Sequence, residues 1–377
     1  MKILFLNYEY PPIGGGAANA TMHLLRELSI SRPDISVDAI VSSPGKASVE
    51  QIESNINIYK LDIGKNGNLH YQRNFEILKY LFKASALINK LTDKKKYDAA
   101  HIFFAVPCGL LTLIPGMKIP YVISLRGSDV PGYSDRYKPF YPFIKPFFKT
   151  ICKNASSVVA NSIGLRDLAA HSLKHIDIDI IPNGVDTVFF TPSETKESKE
   201  IKIFSAGRLI PRKGYANLIK AAATLINEGL PIKIEIAGEG PELANLEKLA
   251  SDLSIRNNIT FSGLCSREQL RDIYRSSDIF VLPSLNEGMS NSLLEAMASG
   301  LPIVTTDTGG STELVGDNGF IVPRGNIEAL SGAIRSLATN TDKRKAFGAL
   351  SRRTALTFSW KSVADCYTRL YKKAAGL

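Results

Sequence analysis

The stretch Val281-Leu-Pro-Ser-Leu-Asn-Glu-Gly-Met-Ser-Asn-Ser-Leu-Leu-Glu-Ala-Met-Ala-Ser-Gly300 reads as a strand, a loop and a helix in immediate succession. The strand ends at Leu282 and the helix begins near Asn291. Outward from it the same unit repeats. Strands are expected at 201–206, 232–237, 258–262, 278–282, 302–305 and 319–322, with helices at 214–228, 241–253, 266–275, 291–299, 326–338 and 342–356. The first half has the same rhythm. Its strands are expected at 2–7, 36–41, 56–60, 99–104, 120–125, 156–161 and 178–182, with helical spacing at 17–30 and 72–92. Ile3-Leu-Phe-Leu6 and Ser157-Val-Val-Ala160 are continuous apolar runs, which suit strands buried on both faces of a parallel sheet. Repeated βα units predict an α/β chain with one doubly wound, Rossmann-like parallel sheet in each half. Residues 191–200 are polar, hold a proline and lack apolar periodicity, so they read as a linker. The expected domains are 1–190 and 201–358, with a last helix in 359–377.

Composition agrees with two soluble domains. The chain has 377 residues, 44% apolar and 22% charged, which excludes wholesale disorder and collagen-like sequence. Cys108, Cys152, Cys265 and Cys366 form no C-x-x-C pair, which argues against a zinc cage or a disulfide framework. A reducing compartment fits. The apolar run at the start stops at Asn7, too short for a signal peptide, and no run approaches a membrane span. The expected location is cytoplasmic. The net charge of +10 is divided between residues 1–190 (+6) and the remainder (+4), so no clustered basic face favours nucleic acid.

Three loops carry chemistry. In the first, Glu287 precedes a helix and Glu295 lies inside it. Eight helical steps would span ~12 Å, which suits the two ends of one elongated ligand better than one shared proton. The backbone N–H groups of Gly288, Met289, Ser290 and Asn291 lie at a helix start, which favours an anion. The blander reading makes Glu287 and Ser290 caps and Glu295 a solvated face. In the second, Ser205-Ala-Gly-Arg-Leu-Ile-Pro-Arg-Lys-Gly214, Arg208 and Lys213 can hold a diphosphate without metal. Arg212 beside them reads as solvated. In the third, Gly14, Gly15 and Gly16 follow the first strand and permit close approach to a phosphate or sugar. Neither this loop nor Gly238-Glu-Gly240 fits G-x-G-x-x-G, so the dinucleotide fingerprint fails.

Taken in order, Gly14-Gly15-Gly16, Ile181-Pro-Asn-Gly-Val-Asp186, Gly207-Arg208 with Lys213-Gly214, Gly238-Glu-Gly-Pro241, Glu287 with Glu295, and Phe358-Ser-Trp360 resemble the retaining GT-B glycosyltransferases of family 4. The similarity covers nearly the whole chain. It implies two Rossmann-like domains facing across a cleft, with the last helix returning to the first domain. It implies transfer of a hexosyl or N-acetylhexosaminyl group from a UDP- or GDP-sugar to an acceptor hydroxyl with retention and without metal or other cofactor. Arg208 and Lys213 would hold the diphosphate and stabilise the leaving charge. Glu287, with the backbone at Gly288, Met289 and Ser290, would bind the donor sugar, and Glu295 the ribose. Gly15 and Gly16 would approach the phosphate from the opposite domain, and Gly207 would be among the donor-binding residues. The acceptor would be a glycan or lipid-linked glycan of polysaccharide or lipopolysaccharide synthesis. Many relatives carry His-Gly-x-Asp where this chain has Arg126-Gly-Ser-Asp129. Arg126, Asp129 and His101 are therefore candidates for contacts to the sugar or acceptor, and a core histidine is an equal reading of His101. Asp177-Ile-Asp179 is discounted as a metal motif because both carboxylates share one strand face.

Two rival functions stay open at this point: a non-hydrolysing nucleotide-sugar epimerase, and a non-catalytic sugar-nucleotide-binding subunit. The aromatic and basic segment 137–153 either faces the core or lies on the inner face of an anionic membrane, and Pro139, Pro142 and Pro146 are expected to interrupt a regular helix there.

Overall fold

The structure is a computed structural model that describes residues 1–65, 67, 69, 72–114, 117–133, 140–193 and 200–377. Residues 137–139 of the aromatic segment and 194–199 of the expected linker lie outside the described residues. The chain divides into two units, Met1–Asn183 with Trp360–Leu377, and Gly184–Ser359.

The first unit contains β1 (Lys2–Leu6), α1 (Gly16–Ser31), β2 (Ser36–Ser43), β3 (Ser48–Ile52), β4 (Ile56–Asp62), α2 (Asn74–Thr92), β5 (Ala99–Phe103), β6 (Tyr121–Leu125), α3 (Tyr141–Lys153), β7 (Ser157–Ala160), α4 (Ile163–Ala170) and β8 (Ile178–Ile180). The strands lie in the order β3-β4-β2-β1-β5-β6-β7-β8. Only β3 runs antiparallel, against β4. It is a polar, exposed edge strand, so no apolar run announced it. In contrast β5 and β6 are buried along their whole length.

The second unit contains β9 (Ile201–Ala206), α5 (Tyr215–Asn227), β10 (Ile232–Ala237), α6 (Leu243–Asp252), β11 (Ile259–Gly263), α7 (Arg267–Ser276), β12 (Ile279–Leu282), α8 (Asn291–Ala298), β13 (Ile303–Thr306), α9 (Ser311–Leu314), β14 (Gly319–Val322), α10 (Ile327–Ala338) and α11 (Thr341–Ala355). Its six strands are all parallel, in the order β11-β10-β9-β12-β13-β14. Helix starts are set locally. Ser266 and Gln269 form a capping box on α7, and Asn326 and Asn340 cap α10 and α11.

The chain changes unit at 183/184, not at the expected 190/191. Residues 184–190 are tied to the second unit. The Val185 amide donates to the Phe358 carbonyl at 2.7 Å, and Arg352 donates to the carbonyls of Phe190 and Thr187. The return occurs at Trp360, where α12 (Trp360–Ala375) rejoins the first core through Trp360, Val363, Tyr367 and Tyr371. Trp360 stacks on His23 of α1.

Pro142 and Pro146 do not break α3 as expected. Pro142 falls in the first turn, where the missing N–H had no partner within the helix. Pro146 lies inside, and the helix continues because Phe148, Ile151 and Cys152 are anchored in the core.

Tyr371 is fully buried in the first unit. Replacing it with Ala should destabilise that unit by roughly 3–5 kcal/mol, the usual cost of an aromatic-to-Ala cavity. Denaturant unfolding with probes in each unit would show the loss in the first transition and none in the second.

Candidate functional site

The strand order of the second unit creates a switch point. The chain leaves β9 toward β10 and β11, then returns to β12 on the other side of β9. Loops at the carboxyl ends of such neighbours diverge and leave a crevice for a ligand. The loop after β9 carries Gly207, Arg208 and the 3-10 turn Pro211–Lys213, and the loop after β12 carries Glu287. The loops are joined by the Leu285 amide, which donates to the Arg212 carbonyl at 2.7 Å. Gly214 sits in the left-handed region (φ +69°), and a Cβ there would lie 2.1 Å from the Pro283 carbonyl oxygen. A Cβ on Gly310 would lie 1.5 Å from the Gly288 oxygen. Only glycine at both positions lets the Glu287 loop close down.

Lys213 Nζ donates to Glu287 Oε1, and Ser284 Oγ donates to the same oxygen at 2.9 Å. The side chains of the pair are 11% and 8% exposed, so this ion pair is largely removed from water. Burial alone would raise the Glu287 carboxyl. The charges of Lys213 and Arg212 outweigh it and hold Glu287 below the ordinary carboxylate range. Arg212 was expected to be solvated. It is instead partly buried, and its Nη1 donates to the Asn286 carbonyl at 3.3 Å, in the loop it steadies. Arg208 is exposed on the β9 loop.

Ser290 caps α8 by accepting from the Leu293 amide. Its side chain therefore serves the helix, and its backbone stands with Gly288, Met289 and Asn291 where the helix begins. Glu295 lies partly buried in α8. Burial pushes its carboxyl up to about 7, against a hydrogen bond from Tyr274 at 3.0 Å. Tyr274 Oη lies equally close to the Ser292 carbonyl, so one proton serves two acceptors.

The first unit has its own switch point between β1 and β5. Gly16 opens α1 with Gly15 at its N-cap, at the end of the connection from β1, and nothing lies within 4 Å of a Cβ placed on Gly15. The other candidates of this unit turn inward. His101 is fully buried, with Nδ1 2.7 Å from Tyr371 Oη and Nε2 2.8 Å from Ser124 Oγ. Burial, then the Arg126 charge, keeps its pKa well below the ordinary histidine value. It is a core histidine without a free nitrogen for substrate. Asp129 is also spent: its carboxyl accepts from the amides of Ala105, Arg126 and Gly127 at 2.8–3.0 Å and ties together the loops after β5 and β6. Arg126 lies with its guanidinium carbon 3.5 Å above the Phe103 ring centroid, a cation–π contact. Nη1 donates to Asn183 and Nη2 to Tyr367 of α12, each at 3.0 Å. Among the described residues its buried Nε has no partner.

Two family models together match residues 14–354. "Glycosyltransferase Family 4" matches residues 14–189, and "Glycosyl transferases group 1" matches 188–354. The chain is a family 4, group 1 glycosyltransferase. A D-inositol 3-phosphate glycosyltransferase of Rhodococcus erythropolis is 33% identical over 55% of this chain, a match that spans about half (51%) of that relative's length. An uncharacterised glycosyltransferase of Methanocaldococcus jannaschii is 25% identical over 99% of this chain and 98% of its own. Sucrose-phosphate synthase from Thermosynechococcus elongatus superposes with a TM-score of 0.85 at 20% identity, covering 99% of this chain and 98% of that one. That likeness gives this glycosyltransferase the GT-B fold.

The buried pair makes a stability prediction. Glu287→Ala leaves the Lys213 charge uncompensated and should cost about 3 kcal/mol, whereas the double substitution Lys213→Met with Glu287→Gln should recover most of it. Equilibrium unfolding of the three proteins checks this. Equal stability of Glu287→Ala and the unsubstituted chain would mean that the pair is solvated.

Proposed function

We propose that the chain moves a hexosyl or N-acetylhexosaminyl group from a UDP- or GDP-sugar to an acceptor hydroxyl with retention, without metal. The acceptor is a glycan or lipid-linked glycan in polysaccharide or lipopolysaccharide assembly. The observation that carries the reading is the Lys213–Glu287 pair at the β9/β12 switch point, beside the exposed Arg208 and the start of α8. Family membership and the glycosyltransferase names of the relatives support it.

On this reading the residues divide the work. Glu287 neutralises Lys213 until a donor arrives. An ammonium has three N–H donors, so Lys213 can keep one bond to Glu287 and offer another to a diphosphate. Arg208 supplies a second cation from the water-exposed side. As the bond from C1 to the diphosphate oxygen breaks, negative charge grows on that oxygen, and the two cations stabilise it most at that moment. The acceptor hydroxyl forms the new bond to C1 on the same face. Its proton passes to the departing diphosphate, which balances the step. Glu287 stays ionised because its pKa is held low, so it suits accepting from sugar hydroxyls and not donating a proton. The backbone at Gly288 and Met289 completes that contact, and Gly15 and Gly16 give a phosphate close approach to the first unit.

Two measurements test this. Nucleotide release from a panel of UDP-, GDP- and ADP-sugars, with a chelator present, should show slow turnover of one donor. Loss of release in chelator would overturn the metal-free reading. The second concerns pH. Glu295 takes up a proton as pH falls through about 7, and a protonated carboxyl loses acceptor capacity for the ribose hydroxyls. Affinity for the nucleoside diphosphate should therefore fall between about pH 8 and pH 6, by a few-fold for one weakened hydrogen bond. Titration calorimetry with Glu295→Gln should give a flat profile over that range.

A further inference from the structure

Beside the Lys213–Glu287 pair lies a buried polar atom that completes no hydrogen bond among the described residues, Tyr215 Oη. Tyr215 opens α5 and is 2% exposed, and its ring turns back to the β9 loop. A Cβ placed on Gly207 would lie 3.0 Å from Tyr215 Oη and 3.4 Å from Lys213 Nζ. The hydroxyl and the ammonium thus flank one point that a glycine leaves open. An unpaired buried hydroxyl costs stability, and phenylalanine would fill the same space without that cost. Packing therefore does not account for the oxygen.

The neighbouring bonds limit what this oxygen can take. Ser205 Oγ, beside it, donates to the Val281 carbonyl at 2.6 Å. A carbonyl only accepts, so the Ser205 proton is committed, and Ser205 can serve Tyr215 only as an acceptor. Burial, then the Glu287 charge, pushes the Tyr215 pKa up, so the phenol keeps its proton. With that proton directed at Ser205, the lone pairs of Oη are left for a donor. The donor at hand is the Lys213 ammonium, which has three N–H groups and gives one to Glu287. A phenol oxygen is uncharged, so it can direct the ammonium without neutralising it.

We infer that Tyr215 is a positioning residue for Lys213. When a diphosphate binds, its hydroxyl takes one N–H of the ammonium, beside those given to Glu287 and to a phosphate oxygen, and so fixes the direction of the last. The inference deepens the function proposed above and rests on it.

The test combines denaturant unfolding of the full chain with calorimetric titration by UDP and by GDP. Tyr215→Phe should unfold at the same or a higher denaturant concentration, because it loses an unpaired group. Its affinity for whichever nucleotide the unsubstituted chain binds should fall about tenfold, the low end for a hydrogen bond to a charged group. A residue that served packing alone would not separate these two readouts. Added to Lys213→Met with Glu287→Gln, the same substitution should change affinity by less than about twofold, since the ammonium it serves is gone. Three results would overturn the inference and leave the transfer reaction standing: unchanged affinity in Tyr215→Phe, an equal loss in both backgrounds, or unfolding of Tyr215→Phe at a clearly lower denaturant concentration. Failure of the unsubstituted chain to bind either nucleotide would overturn both.

Discussion

A lysine and a glutamate cannot be taken out of water separately, and the loops of the second unit are arranged around that constraint. Each charge costs several kcal/mol to bury and is tolerable only beside the other. Lys213 follows β9 and Glu287 follows β12, which are 74 residues apart along the chain and adjacent in the sheet. The pair can form only where the sheet order reverses and only if both loops fold inward. Gly214 and Gly310 remove the two Cβ atoms that would block this. Ser284 then donates to the carboxylate, and the Arg212 charge adds to that of Lys213. The arrangement holds the lysine in place at the switch point of the sheet.

The first unit uses buried polarity differently. From Tyr371 a line of hydrogen bonds passes through His101, Ser124 and Tyr367 to Arg126 and Asn183. It joins α12, β5, β6 and the end of the unit's main segment. Arg126 is held on Phe103 and Tyr367. Burial first, and then the Arg126 charge, lower the basicity of His101 and keep that histidine neutral in the core. Arg126 thus has a structural role that a neutral imidazole could not reproduce, because its fork reaches Asn183 and Tyr367 of α12 at once.

Much of this was legible in the residues. Continuous apolar runs placed the parallel strands, and Glu287, Lys213 and the glycine loops fell at strand ends because their spacing left no other place. What was not legible has a physical reason in each case. Strand β3 is polar and exists only by pairing with β4. The change of unit at Asn183 depends on Arg352 reaching back to carbonyls more than 160 residues away. His101 and Asp129 looked available because sequence shows a titratable group but not the hydroxyls and amides that occupy it. Arg212 looked solvated because its acceptor, the Asn286 carbonyl, belongs to a distant loop.

The exposed apolar side chains of α2 and α3 show the same gap from the other side. Periodicity reports that a helix has an apolar face, but it gives no direction for that face. In α3 the buried residues are Phe148, Ile151 and Cys152, and the phenylalanines on the neighbouring side remain in water. In α2 the core takes Tyr80, Ala84 and Ile88 and leaves Phe75, Leu78 and Phe82 exposed. Exposing these side chains costs solubility and adds nothing to the core, so stability does not account for them.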